Sequence, residues 1–84
     1  MNEQNIIEEP WRGIATYSDY EDADSERVAE MQAAIRRAGG DVIKTIANEE
    51  DGEAQISFKL TDDGYSGDKV QTFADENGWE VRWL

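Results

Sequence analysis

The chain has 84 residues, with 20 Asp plus Glu against 8 Lys plus Arg, no His, no Cys and a formal net charge of -12 at pH 7. A surface of that sign repels DNA, RNA and anionic membranes and attracts cations and basic protein surfaces. Without Cys or His the chain has no disulfides, zinc thiolates, thiol nucleophiles or imidazole acid–base chemistry.

The length predicts one domain with a modest core, to which 3 Trp, 3 Tyr and 2 Phe contribute much of the apolar area. No apolar run approaches the ~18 residues of a membrane span. The start, Met1 to Asn5, lacks a positive n-region, so the expected location is cytoplasmic.

Residues 1–10 are polar and end at Pro10. They read as a frayed N-terminal arm, or as an edge extension through Ile6 and Ile7, outside a single domain over 11–84. From Trp11 to Ser18 aromatic and β-branched residues (Trp11, Ile14, Thr16, Tyr17) predict a first strand. Asp19 to Ser25 reads as a loop and helix start, with Asp22, Asp24 or Ser25 as N-cap. Val28, Met31, Ile35 and Ala38 recur at spacings of three and four, which predicts a helix over 24–38. Arg36 and Arg37 suit its last turn, and Gly39-Gly40 supplies a left-handed stop.

Asp41 to Asn48 reads as a second strand, and Ala54 to Leu60 alternates as a third with Ala54, Ile56, Phe58 and Leu60 on one face. Asp51-Gly52 between them predicts a two-residue hairpin. That register sets Ala47 opposite Ile56, Thr45 opposite Phe58 and Ile43 opposite Leu60, with Ile43, Thr45 and Ala47 toward the core. It also sets Lys44 against Lys59, an unfavourable like-charge pair. Thr61 to Gly67 reads as a loop, with Ser66 capping a second helix that runs to Glu76 with Val70, Phe73 and Ala74 inward. Trp79, Val81 and Trp83 form the core stripe of a fourth strand.

The order β-α-β-β-α-β predicts an α+β fold, the ferredoxin-like split βαββαβ sandwich, with a four-stranded antiparallel sheet and two helices on one face. In that topology the loop after strand one, the hairpin and the loop before strand four share one end. Segments 19–26, 49–53 and 75–76 hold eleven of the twenty acids, and Arg27 is the one basic residue in or beside them. The opposite, uncovered sheet face is expected to carry Lys44, Lys59 and Arg82. Crowding like charges at one end opposes folding, which favours a role for that acidic pole beyond solubility.

The acidic stretches do not form calcium loops. Asp22, Asp24 and Glu26 alternate, but Arg27 stands where the turn Gly belongs, and Ala33 occupies the twelfth position. Placing Gly52 or Gly64 at the turn puts Ala47 or Lys59 at the first ligand position and Phe58 or Val70 at the twelfth. No phosphate-binding or nucleophile-elbow motif is present, and carboxylates on loops lack the cleft that glycosidase chemistry needs. The third strand turns its aromatic inward and presents Gln55, Ser57 and Lys59 outward, unlike an RNA platform. No enzymatic activity, cofactor, metal or direct nucleic-acid binding is expected.

The reading that follows is a non-enzymatic acidic binding protein. Asp19, Glu21, Asp22, Asp24, Glu49, Glu50 and Asp51 would compete for Lys and Arg sites on a basic protein surface such as a nucleic-acid-binding groove. In size, charge and lack of catalytic residues the chain resembles the small acidic inhibitors of phages and mobile elements. Their carboxylates stand in for phosphates and block nucleases, restriction systems or CRISPR complexes, and no motif accompanies this resemblance. The alternative is a small regulatory or housekeeping domain of a salt-adapted organism, Lys-poor and acidic for hydration, paired as a homodimer through its open sheet face.

Overall fold

The computed structural model describes residues 11–21, 24–60 and 64–84. The expected N-terminal arm, Asp22 as cap and site residue, and the start of the loop after the third strand lie outside them. The elements are β1 (Trp11–Ser18), α1 (Ser25–Arg37), β2 (Gly40–Asn48), β3 (Glu53–Leu60), α2 (Gly64–Glu76) and β4 (Glu80–Trp83). One antiparallel sheet has the order β2-β3-β1-β4, so β1 and β3 are central and β2 and β4 are edges. The fold is α+β, a four-stranded antiparallel sheet with two helices. No helix among the described residues is long and apolar enough to cross a membrane.

The apolar stripes made this architecture. α1 buries Val28, Met31, Ala34 and Ile35, the face its spacing predicts. Val28, Met31 and Ile35 meet Ala54, Ile56, Phe58 and Leu60 of β3 and Val70 and Ala74 of α2 in one core. Both helices therefore cover the same face of the sheet. Trp79 is buried, and Val81 and Trp83 pack against the core at its margin. Trp83 meets Phe58 edge-on at 5.6 Å, and its indole N–H donates to Gln71 Oε1 at 2.9 Å.

Several local expectations are corrected. Asp24 occupies the N-cap position, but its side chain makes no cap hydrogen bond and accepts instead from the Glu21 N–H. Gly39 alone provides the left-handed stop (φ 94°), and Gly40 already belongs to β2. α2 begins at Gly64, so Ser66 is a buried residue within the helix rather than its cap.

The largest correction concerns the hairpin. Its loop is Glu49 to Gly52, with Asn48 opposite Glu53, Ala47 opposite Ala54 and Thr45 opposite Ile56. A two-residue type I′ turn needs positive φ at both central residues. Gly52 has it (φ 66°) and Asp51 does not. The Asn48 side chain accepts from the Glu50 N–H and donates to Asp51 Oδ2, and the Gly52 N–H donates to the Glu49 carbonyl. Those bonds favour the longer loop.

A register shift between Val42 and Lys44 then sets Val42 against Phe58 and Asp41 against Lys59. Ile43 is the extra residue of this bulge and is 54% exposed rather than in the core. Lys44 lies opposite Ser57, so the expected Lys44–Lys59 clash is replaced by an opposite-charge pairing of Asp41 with Lys59. Thr45 and Ala47 keep the helix-side parity, and Gln32 of α1 donates to Thr45 Oγ1 at 2.8 Å. Both residues remain exposed, because β2 is an edge strand with one neighbour.

Candidate functional site

The candidate site is built where β1 ends. Asp19 turns the chain with φ 64°, a left-handed conformation that Asp tolerates better than most residues. Tyr20 follows, and its buried ring anchors the loop in the core. The Tyr20 N–H donates to the Gly52 carbonyl at 3.0 Å. That single bond joins the loop after β1 to the tip of the β2–β3 hairpin.

The joined loops carry the charge. Asp19, Glu21, Glu49, Glu50, Asp51 and Glu53 are exposed, and Asp24 is half-buried. The Glu21 N–H donates to Asp24 Oδ2 at 3.0 Å, and the other Asp24 oxygen lies 3.5 Å from Arg27 Nε. Arg27 in turn sits 5.3 Å above the Tyr17 ring, which also meets Trp79 with ring centroids 5.3 Å apart. Arg27 is thus a cation held inside the acidic end, tying α1 to β1 through Tyr17.

The third acidic segment reaches the same end. α2 finishes with Asp75 and Glu76, both exposed, and Trp79 then packs on Tyr17 near the end of β1. Glu80 lies opposite Thr16 and turns toward the open face of the sheet.

Of the residues singled out from the sequence, Asp19, Glu21, Asp24, Glu49, Glu50 and Asp51 are brought together, and Asp22 lies outside the described residues. Sequence reasoning missed Tyr20 as the anchor, although an aromatic flanked by Asp19 and Glu21 was a visible signal. It also missed Glu80, whose place depended on the β4 register.

Chemically, the arrangement is an array of hydrogen-bond acceptors on an ordered frame, suited to Lys and Arg head groups. Among the described residues no group of three or more acids is arranged to hold a metal ion. No family model matches the chain, and no curated protein or solved structure matches it either.

Proposed function

We propose that the protein is a non-enzymatic binding protein whose acidic end occupies a basic, nucleic-acid-binding surface of a partner protein. Its carboxylates stand where phosphates would, in the manner of small acidic inhibitors. The observation that carries this reading is the Tyr20–Gly52 hydrogen bond, which holds two separate acidic segments side by side. Surface charge serving only hydration does not require the segments to be locked together. Local order matters to a mimic because carboxylates already fixed lose less entropy on binding.

The same reading treats the fold as the ferredoxin-like split βαβ sandwich. Its support is the element order β-α-β-β-α-β, with β3 lying between β1 and β2, and β1 lying between β3 and β4.

The test is capture of partners from lysate at low salt, beside a variant carrying Asp19→Asn, Glu21→Gln, Glu49→Gln, Glu50→Gln and Asp51→Asn. The expected partner binds wild type alone, releases its nucleic acid on binding, and is lost as salt rises. Equal capture by the neutralised variant, or binding unchanged from low to high salt, would overturn the proposal.

A further inference from the structure

The sheet face away from the helices is charged unevenly. The strand pairing sets its outward residues in cross-strand rows. Asp41, Lys59 and Arg12 share the row at the Leu60 end, and Lys44, Ser57, Ile14 and Arg82 share the next. Ile46, Gln55, Thr16 and Glu80 follow, and Asn48, Glu53 and Ser18 close the face at the acidic end. Four of the eight basic residues of the chain, Arg12, Lys44, Lys59 and Arg82, therefore collect at one end of this face. Asp41 stands opposite Lys59 in the strand pairing, but among the described residues none of the four basic side chains forms an ion pair. Glu53 and Glu80 mark the other end. Ile46, 46% exposed, and the half-buried Ile14 lie in the two middle rows.

We propose that this face is the interface of a homodimer in which a second copy packs its open face on the first with strands antiparallel. A two-fold axis between the sheets and perpendicular to the strands keeps each strand over its own counterpart and exchanges the two ends. Lys59 then faces Glu53 of the second copy and Arg82 faces Glu80 of the second copy, and the same two contacts recur reciprocally. A hollow of about 410 Å³ lined by Thr16, Glu53, Gln55, Glu80, Val81 and Arg82 receives the cationic head groups. The stem of Lys44 lies over Ile46 of the second copy.

Charge complementarity selects this arrangement over its rivals. An axis parallel to the strands stacks basic end on basic end and brings the two acidic ends together. The antiparallel arrangement keeps the acidic ends at opposite extremes. Pairing through the β2 edge is disfavoured by the bulge at Ile43, which interrupts the edge pattern a second strand needs.

Sheets packed ~10 Å apart, with strands ~4.8 Å apart and ~20 Å of strand in contact, give a small interface. It lies near or below the ~1,200 Å² lower bound of stable complexes, so the dimer is weak and concentration-dependent. This inference does not rest on the partner proposed above, and its test needs no partner.

Sedimentation of the wild type across a concentration series is expected to show a monomer–dimer equilibrium. On dilution, amide resonances should move on the open face, at Ile14, Thr16, Gln55 and Ser57, while those of α1 and α2 stay still. Two charge-reversed variants, Lys59→Glu with Arg82→Glu and Glu53→Lys with Glu80→Lys, should each be monomeric. Mixed one to one, they should recover the dimer. A wild type monomeric at every concentration, a dimer kept by both variants, dilution shifts on the helices, or oligomers that grow beyond two copies would each overturn the proposal. The wild-type resonances decide the question even if a variant fails to fold.

Discussion

A hydrogen is all that fits at position 40. A Cβ there would stand 2.5 Å from Leu60 Cδ2, 2.8 Å from the Lys59 carbonyl oxygen and 3.1 Å from Ile35 Cγ2. The backbone oxygen cannot swing aside as a side-chain end can. Gly40→Ala is expected to cost about 1–3 kcal/mol, the range of an overpacked core. Urea unfolding should show it as a lower midpoint with an unchanged slope. Asp19 poses the converse problem, because it carries both a charge and a left-handed backbone. Asp19→Asn removes the charge and keeps a residue that accepts φ 64°, so stability should hold. Asp19→Val should cost about 1–2 kcal/mol by forcing a β-branched residue into that region. Comparing the two by thermal unfolding separates the turn from the charge.

Among the elements, β2 and β3 differ most in how they use similar residues. Both are rich in β-branched and apolar side chains, yet β3 is central and buries Ala54, Ile56, Phe58 and Leu60, whereas β2 exposes Ile43 and Ile46. Ile43→Lys is therefore expected to change stability by no more than ~0.5 kcal/mol, as exposed substitutions do. Ile56→Ala should cost about 2–5 kcal/mol by leaving a cavity in the core. Denaturant midpoints of the pair would test the observed register directly, since the two-residue hairpin places Ile43 in the core as well. Equal losses would restore the two-residue hairpin. Ile43 could not be assigned from the sequence because alternation along Val42, Ile43 and Lys44 carries no mark of a bulge.

For the whole molecule the charge distribution dominates. With a net charge of -12, self-repulsion opposes the compact state, most strongly where the acids flanking Tyr20 meet the hairpin tip at Gly52. Added salt screens this within a Debye length of ~10 Å at 0.1 M, so the Tm should rise from dilute buffer to moderate salt. The rise should be smaller in a variant with Glu49→Gln, Glu50→Gln and Asp51→Asn. Thermal unfolding across a salt series measures both. A wild type already folded in dilute buffer favours the binding role, and one that folds only in molar KCl favours a salt-adapted domain.

The sequence by itself determined the order of the elements and the buried faces of α1 and β3. The periodicity of Val28, Met31 and Ile35 marked α1, the alternation from Ala54 to Leu60 marked β3, and both survive because a stripe of apolar side chains must be buried wherever it lands. The convergence of Asp19, Glu21, Asp24, Glu49, Glu50 and Asp51 was expected only through an assumed topology, and it needed β3 to lie between β1 and β2 in one sheet. Only the tertiary structure decided the hairpin register, the bulge, and the row-by-row charge of the open face. Those depend on competition between close alternatives: an Asn48 side-chain turn against a type I′ turn, or one residue more or less on an edge strand. Such choices turn on single hydrogen bonds of about 1 kcal/mol, which no local pattern of residue types records.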